Sequence, residues 1–302
     1  MRRTLETRPS TQLVVLDALT YAGRRSNLSG LDGQIDFVEG DIRDSELVDQ
    51  LVKDVETVVH FAAESHNDNS LVGPRVFLDT NVLGTFEIIQ ACVKHSVRLH
   101  HVSTDEVFGD LPRDSKEKFS VETPYNPSSP YSASKAASDM LVRAWTRSFG
   151  LEATISNCSN NYGPYQHEEK LIPRTIFRAL LGLRPKVYGD GLNIRDWIHV
   201  DDHTDGLWSI LDKGRSGETY LLGSNGERTN LQVVTSILSE LKLGPDFLEF
   251  VPDRAGHDER YAIDFSRTHE ELGWFPKLGN FEDGISKVVA HYVSSADSGR
   301  VA

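Results

Sequence analysis

The segment "VSTDEVFGD", residues 102–110, places a hydroxyl and two adjacent carboxyl groups directly after an apolar, β-branched run. Thr104, Asp105 and Glu106 therefore stand at the predicted end of a strand, where open α/β sheets bind their ligands. Neighbouring carboxyl groups push their pKa values apart, so one can be a neutral acid while the other is an ionised base. The triplet predicts acid–base chemistry, and the alternative is a solvated turn.

A second pair of candidate residues lies in "SPYSASKAASDM", residues 129–140. Tyr131 and Lys135 are four residues apart on a predicted helix, so they share one face. A tyrosine with a pKa of about 10 is a poor base at neutral pH, and lowering that pKa to about 7 requires roughly 4 kcal/mol. A cation about 6 Å away supplies roughly 3 kcal/mol at an effective dielectric near 20. Lys135 and a cationic cofactor ring could therefore activate Tyr131 together; the alternative is an exposed Tyr–Lys pair.

The elements that must position these residues follow from the hydrophobic pattern. Short apolar runs alternate with helical patterns in the first half, which predicts βαβ units and a parallel sheet. The predicted fold is α/β, a Rossmann-like, doubly wound parallel sheet with a smaller, interleaved C-terminal substrate lobe. The predicted strands are 11–18, 34–41, 56–63, 97–104 and 151–159, with more in "IRDWIHVDD" and "GETYLLGS"; the predicted helices are 44–54, 74–94 and 129–149, with others near 170–183, 201–213, 230–241 and 281–293.

Composition limits the classes of partner. The chain has 302 residues and a formal net charge of −13, which argues against nucleic acid or an anionic membrane as the main partner. A local pocket of Arg and Lys could still bind an anionic substrate. Cys92 and Cys158 form no paired metal spacing, and we expect no metal site. Reduced cysteines, no apolar stretch near membrane-spanning length and no secretory signal predict a cytoplasmic protein.

Residues at the ends of the first three strands fit a dinucleotide. Asp17 closes "LVVLD", where a carboxylate can accept both hydroxyls of an adenosine ribose, although a turn acid would look the same. Asp41 and Ile42 follow the second strand, where an aspartate can accept an adenine amino hydrogen. The small residues of "HFAAES" (60–65) let the backbone approach a ligand. Because these residues follow successive strands in order, the sequence predicts a dinucleotide-binding site.

With these segments in place, the chain resembles the extended short-chain dehydrogenase/reductase superfamily and, within it, the dTDP-glucose 4,6-dehydratases. Sugar epimerases of the superfamily share the Tyr and Lys but generally lack the Thr-Asp-Glu triplet, so the triplet supports the narrower resemblance. The stretches that carry it are "DALTYAG" (17–23), "AAESH" (62–66), "STDEVFGD" (103–110), "YSASK" (131–135), "NCSNNYGPYQHEEKLIP" (157–173), "RDWIHVDDH" (195–203) and "DRAGHDERYAID" (253–264).

The resemblance implies a reaction and a role for each candidate. Tyr131 would take the proton from the sugar O4 while the C4 hydride passes to NAD, with Thr104 holding that hydroxyl. Glu106 would then take the C5 proton and Asp105 would protonate the departing C6 hydroxyl. Return of the hydride to C6 and of the proton from Glu106 to C5 would complete the conversion of dTDP-glucose to dTDP-4-keto-6-deoxyglucose. Lys135 would lower the pKa of Tyr131 and hold the nicotinamide ribose.

The resemblance also implies binding residues and a domain division. It implies a homodimer built from helices 74–94 and 129–149. It places an NAD-binding domain at 1–161, with about 194–225 and the C-terminal helix contributing, and a sugar-nucleotide-binding lobe at 162–193 and 226–280. The implied NAD contacts are Asp17, Thr20, Asp41, Ile42, Phe61, Ala62, Ala63, Ser65, Thr80, Tyr131, Lys135 and Asn161; the implied substrate contacts are Ser65, Thr104, Asn160, Lys170, Leu171, Lys186, Tyr188, Arg195, Asn230, Asp253, Arg254 and His257.

Among these contacts, Arg195 and Arg254 are the best candidates for the diphosphate, because a guanidinium binds phosphate oxygens bidentately. Ordinary surface or interlobe ion pairing is the alternative for both. For Lys170 and Asn230 that alternative is a serious competitor. Asn67 and Asn69 depart from the "HVDRS" form associated with many members, and the sequence offers no physical account of the change.

The main departure is at the beginning of the chain. Superfamily members normally open with a strand, a Gly-x-x-Gly-x-x-Gly turn and a helix that approach the cofactor pyrophosphate, and no such sequence precedes Asp17. In the common order the absent strand would lie between 11–17 and 56–63. Three hypotheses follow: a natural start upstream of Met1, a non-catalytic sugar-nucleotide-binding or dimer-partner paralogue, or a UDP-sugar 4,6-dehydratase or 4-epimerase. The intact catalytic residues favour the first, and the triplet disfavours an epimerase.

Overall fold

The protein is described here by a computed structural model that covers residues 1–253 and 256–297. These residues form two compact units. Unit 1 comprises 1–107, 127–157 and 207–220, and unit 2 comprises 108–126, 158–206 and the chain from 221 onwards. The strands are β1 Val14–Asp17, β2 Asp36–Glu39, β3 Thr57–His60, β4 Arg98–Thr104, β5 Ala153–Cys158, β6 Asn160–Tyr162, β7 Lys186–Tyr188, β8 Ile194–Arg195, β9 Trp197–His199, β10 Thr219–Leu222, β11 Arg228–Thr229 and β12 Glu249–Val251.

The helices match the predicted pattern closely, with short additions. All the predicted helices are present, and the sequence analysis did not predict the short α3 and α10. The helices are α1 Arg2–Thr7, α2 Ser45–Val52, α3 Asn67–Val72, α4 Pro74–Phe77, α5 Thr85–His95, α6 Pro130–Phe149, α7 Leu171–Leu180, α8 Val200–Lys213, α9 Asn230–Glu240, α10 Ser266–Leu272 and α11 Phe281–Asp297.

The predicted α/β fold class is confirmed, and its sheet lies mainly in unit 1. Four strands pair in the order β10-β5-β4-β3. β3 and β4 are parallel, with Thr57 opposite Arg98 and His60 opposite His101. β1 and β2 form a separate parallel pair. Within the described residues no strand joins β1 to β3, so the sheet is interrupted at the position where the sequence analysis expected a missing strand.

Helix α6 begins and ends where its sequence dictates. The Ser129 side chain accepts a hydrogen bond from the Ser132 backbone N–H, and Ser132 Oγ accepts one from the Ser129 backbone N–H, which forms a capping box. Pro130 occupies the first turn, where a missing N–H costs nothing. Gly150 ends the helix with a φ of 70°, a left-handed conformation that favours glycine. The cap fixes the start of the helix one residue before Tyr131.

Helices α4 and α5 are joined by π-helical turns over Leu78–Gly84 into one continuous segment, Pro74–His95. This segment is long and apolar enough to cross a membrane by length and composition, contrary to the expectation from the sequence. Core helices of soluble proteins have the same properties, and Ile88, Ile89 and Cys92 pack in the core of unit 1. The other members of this core are Ile42, Val48, Val52, Ala91, Val97, Leu99, Val142, Leu151, Ala153 and Ile155.

Unit 2 is built from short strand pairs and three packed helices. β6 pairs with β9 and β7 with β12 in parallel, while β8 and β11 are antiparallel. The C-terminal helix α11 packs its Phe281, Ile285 and Val288 into a core shared with α7 and α9. The apolar face of α11 lies in the core of unit 2. From the sequence, this helix was expected to contribute to the NAD-binding domain, and that division stays a prediction. Which ligand each unit binds stays a prediction.

Candidate active site

Strand β4 ends at Thr104, and Asp105 and Glu106 open the 3₁₀ turn that follows it. The Thr104 hydroxyl accepts the Glu106 backbone N–H at 3.3 Å and donates to Asp105 Oδ1 at 3.3 Å. Thr104 is 8% exposed and Asp105 is 2% exposed, while Glu106 is half-buried. A solvated turn does not fit this burial. The hydroxyl orders the turn and holds the two carboxyl groups at the carboxyl end of the strand.

Helix α6 presents one face with Tyr131, Lys135 and Asp139, each four residues after the last. Tyr131 is buried and meets the edge of Phe77, with ring centroids 6.3 Å apart. Lys135 is 4% exposed, and its Nζ donates to the Val102 carbonyl of β4 at 2.9 Å. The structure therefore buries the cation beside the strand that carries the triplet. An exposed Tyr–Lys pair, the alternative considered from the sequence, does not fit.

Asp139 ties this helix to two strands. The Ser103 hydroxyl donates to Asp139 Oδ2 at 2.9 Å, and the Asn157 amide lies 3.3 Å from the same oxygen. His101 Nε2 lies 3.1 Å from Asp139 Oδ1, with both side chains fully buried. Asn157 also donates to the Thr104 carbonyl at 3.0 Å. These contacts fix the end of β4 against α6 and β5.

The charges in this cluster follow from burial and from Lys135. Burial lowers the pKa of His101, and Lys135 lowers it further, against the opposing effect of Asp139. Burial raises the pKa of Asp139, but His101, Lys135 and Ser103 outweigh it, and the net pKa lies below the usual range. Burial also lowers the pKa of His60 well below its ordinary value. The cluster thus holds an ionised carboxylate beside neutral histidines.

Two asparagines that the sequence analysis did not assign to the site connect it to the loop after β3. Asn67 Nδ2 donates to Glu106 Oε2 at 2.9 Å. Asn81 is buried in the π-helical turns; it accepts the Glu64 N–H, and its Nδ2 donates to the Glu64 carbonyl and to Ser134 Oγ. π-Helical turns frequently occur at functional sites, and this one ties the loop to α6. Helical periodicity gives no signal for it.

The predicted NAD contacts of unit 1 lie on successive strand ends. Asp17 is exposed at the end of β1, and its Oδ1 accepts the Leu19 N–H at 2.8 Å. Asp41 follows β2 and bonds to the Arg43 side chain and backbone, contacts that lower the pKa of Asp41 despite partial burial. Ile42 is buried in the core, which leaves packing as its observed role. Thr20 and Phe61 are exposed, and Ala62, Ala63, Ser65 and Thr80 are half-buried.

In unit 2, Arg195 is 6% exposed and stacks on Tyr261, with its guanidinium carbon 4.2 Å from the ring centroid. Its Nη atoms donate to the Ile194 and Asp258 carbonyls. Asn161 Oδ1 accepts a hydrogen bond from His203 Nδ1 at 2.7 Å, so the Asn161 side chain packs within the unit. These contacts give both residues structural roles and leave their ligand roles as predictions.

The other residues of unit 2 that were predicted to bind substrate differ in how many partners their side chains have within the protein. Asn160 Oδ1 is buried with no hydrogen-bond partner among the described residues, as expected of an acceptor kept for a ligand. His257 bonds to Asp253 at 2.6 Å, and its ring meets Tyr188. Lys170 lies 3.5 Å from Glu169. Leu171, Lys186 and Asn230 begin α7, β7 and α9, and Arg254 lies outside the described residues.

Comparison with known proteins decides the family. A sequence profile of the GDP-mannose 4,6-dehydratase family matches residues 5–288. A dTDP-glucose 4,6-dehydratase of Mycobacterium tuberculosis is 58% identical over 94% of this chain and 86% of its own length. The chain belongs to the dTDP-glucose 4,6-dehydratase family. The resemblance described from the sequence is thus confirmed. A relative of the same name from Xanthomonas campestris is 47% identical over 94% of this chain and 87% of its own length.

Solved dTDP-glucose 4,6-dehydratases share the fold. The enzyme of Streptomyces venezuelae, a double mutant with NAD bound, has a TM-score of 0.94 at 42% identity and covers 98% of this chain and 94% of its own. The Bacillus anthracis enzyme, in complex with NAD, has a TM-score of 0.90 at 40% identity and covers 98% and 92%. A UDP-glucose 4-epimerase of Thermotoga maritima, at 24% identity and a TM-score of 0.89 over 98% and 94%, shows the fold alone.

The residues of this chain fit the two ends of NAD. The exposed carboxylate of Asp17 at the end of β1 suits the hydroxyls of the adenosine ribose. The buried cation of Lys135, on the helix face that carries Tyr131, suits the nicotinamide ribose. Between these ends, no glycine-rich turn precedes β1 in the sequence. The fit therefore stands on the strand-end acid and the buried lysine.

Proposed function

We propose that this chain converts dTDP-glucose to dTDP-4-keto-6-deoxyglucose with NAD as a cofactor that is restored in each cycle. The observation that carries the proposal is the placement of the Thr104-Asp105-Glu106 turn on β4, against the helix face with Tyr131 and Lys135. Relatives with the same activity in their names are up to 58% identical over most of the chain. NAD, when bound, accepts a hydride from the sugar C4 and returns it to C6.

The side chains of this chain supply the proton transfers. Tyr131 removes the proton of the C4 hydroxyl, and the buried Lys135 cation favours the phenolate that does so. Thr104 holds that hydroxyl in place. The C4 ketone acidifies C5, and Glu106 takes the C5 proton while Asp105 protonates the departing C6 hydroxyl. Glu106 then returns the proton to C5 as the hydride reaches C6. Asp105 is 2% exposed, so its carboxyl group is shielded from bulk water.

The direct test incubates the protein with NAD and dTDP-glucose and follows the product, which is lighter by one water, by mass spectrometry. Tyr131→Phe and Glu106→Gln are expected to lower turnover by about 10²–10⁴-fold, as the loss of a general acid or base does. Tyr165→Phe and Glu122→Gln make the same chemical changes at exposed positions and should leave turnover unchanged. A folded wild-type protein that binds dTDP-glucose without turnover would favour a non-catalytic binding subunit. Faster turnover of UDP-glucose than of dTDP-glucose would change the assigned nucleobase of the substrate from thymine to uracil.

We further propose that the protein is a homodimer, assembled through the helices of unit 1. Several large apolar side chains in or next to these helices are exposed: Val72 by 89%, Leu83 by 53% and Phe149 by 61%. Leu71, Val76, Leu78 and Met140 are also 40% or more exposed. Exposed apolar side chains, where they form a patch, mark interaction sites. Light scattering should report a dimer, and Leu83→Glu with Phe149→Glu should shift it to a monomer.

A further inference from the structure

We propose that Asn67 is a positioning residue for Glu106: its side-chain amide holds the Glu106 carboxylate in place for removal of the C5 proton. The inference rests on the role of Glu106 in the proposed function. It explains one of the two departures from the "HVDRS" form in this stretch of the sequence.

The contact joins two loops that are distant along the chain. Asn67 opens α3, after the loop that follows β3, and Glu106 lies in the turn after β4. The Nδ2–Oε2 distance is 2.9 Å, in a partly buried setting. The amide cannot be turned the other way without bringing its oxygen against a carboxylate oxygen. Nδ2 is therefore the atom that faces Glu106.

The Oδ1 atom of the Asn67 amide indicates why this position holds an asparagine. Asn67 Oδ1 is buried and has no hydrogen-bond partner among the described residues. A buried acceptor without a partner destabilises the folded state, and an apolar side chain of similar size would avoid that loss. The fold alone therefore gains nothing from an amide at this position. The gain seen in the structure is the hydrogen bond to Glu106.

The hydrogen bond acts on one chemical step. In that step the C5–H bond breaks and its proton passes to Glu106, while the electron pair forms the C5=C6 bond. The C6–O bond breaks, and the oxygen leaves as water with a proton from Asp105. The hydrogen bond fixes the orientation of the carboxylate that accepts the proton. Oxidation at C4 uses Tyr131 and does not involve this contact.

The test compares Asn67→Val, which removes the donor, with Asn69→Val, the same change at an exposed position two residues along the same helix. For Asn67→Val we expect kcat to fall by about 10–100-fold, the range for a hydrogen bond to a charged group, with KM unchanged. NADH should accumulate during turnover, and deuterium from solvent should enter C5 more slowly. The melting temperature should stay the same or rise. Asn69→Val should match the wild type in every measurement.

Three outcomes would overturn the inference. Asn67→Val with wild-type kcat would show that Glu106 does not need the amide. A fall in kcat with a lower melting temperature and no NADH accumulation would assign Asn67 a structural role. A folded wild-type protein that makes no product would overturn the proposed function and this inference with it, whereas an active wild type with an indifferent Asn67→Val would overturn the inference alone.

Discussion

The buried carboxylate of Asp139 allows a sharp prediction about stability. Its side chain is fully buried and contacts His101 at 3.1 Å, the Ser103 hydroxyl at 2.9 Å and the Asn157 amide at 3.3 Å. Asp139→Ala removes the acceptor and leaves those three polar groups facing a cavity. Because the carboxylate is ionised beside Lys135, the change also removes a compensating charge from a buried cation.

The expected loss follows from the burial of the carboxylate and of the groups around it. Loss of the carboxylate leaves the Ser103 hydroxyl and the Asn157 amide without this acceptor, at about 1–3 kcal/mol each, and removes the charge beside Lys135, so Asp139→Ala should cost about 3–5 kcal/mol in all. That is a large part of the 5–15 kcal/mol by which whole domains are stable. Asp139→Asn keeps the shape and one acceptor oxygen but loses the charge, so its loss should be smaller, about 1.5–3 kcal/mol. The order of the two variants tests the role of the charge.

Urea unfolding followed by circular dichroism measures both variants against the wild type, with midpoint and slope reported separately. Asp212→Ala is the matched control, because Asp212 pairs with Arg8 at an exposed position, where such pairs contribute up to about 1 kcal/mol. A loss below about 1 kcal/mol for Asp139→Ala would refute the reasoning. So would equal losses for Asp139→Ala and Asp212→Ala.

Three further predictions concern the pH dependence of stability, the turn at Gly109, and the Asn81 amide that holds the loop after β3. Burial lowers the folded-state pKa of His203 to about 4 and also lowers the pKa values of His60 and His101, so the unfolded state binds more protons below about pH 6.5. The free energy of unfolding is therefore highest above that pH and should fall by about 2 kcal/mol at pH 5 for His203 alone. Equal urea midpoints at pH 7 and pH 5 would contradict this prediction. Gly109 has a φ of 90°, and an added Cβ would lie 2.4 Å from the Asn126 carbonyl oxygen, so Gly109→Ala should cost about 1–3 kcal/mol in urea unfolding, and a neutral result would disprove the clash. Asn81→Ala should cost about 1–3 kcal/mol and speed hydrogen exchange at residues 62–66, whereas wild-type exchange would show that the amide does not hold the loop.

Periodicity was sufficient to predict most of the elements of the fold. The five strands of the first half and the helices that separate them are all present, because each has an apolar face or core that only one secondary structure can bury. The capping box at Ser129 fixed the start of α6, and the four-residue spacing of Tyr131 and Lys135 placed both on one face. The short α3 and α10 were missed because six or seven residues give too few repeats to show a helical period.

The contacts within the site were harder to predict because they join segments distant along the chain. Asp139 continues the four-residue spacing from Lys135, so helical periodicity could have placed it on the same face. Its partners could not be found this way, since His101 and Asn157 meet it only through the order of β4 and β5. The bond from Asn67 to Glu106 depends in the same way on two neighbouring strand ends.

Asp139, which is buried, and Asn67, which is half-buried, have different roles, and this difference can be measured. Both oxygens of Asp139 contact polar groups on neighbouring strands, so an apolar replacement should destabilise the fold. Asn67 has one end on Glu106 and the other buried without a partner, so an apolar replacement should leave stability unchanged or higher while it lowers turnover. Residues that stabilise a fold and residues that serve its chemistry then shift stability and activity in different directions. The sign of the stability change therefore separates the two roles where burial alone cannot.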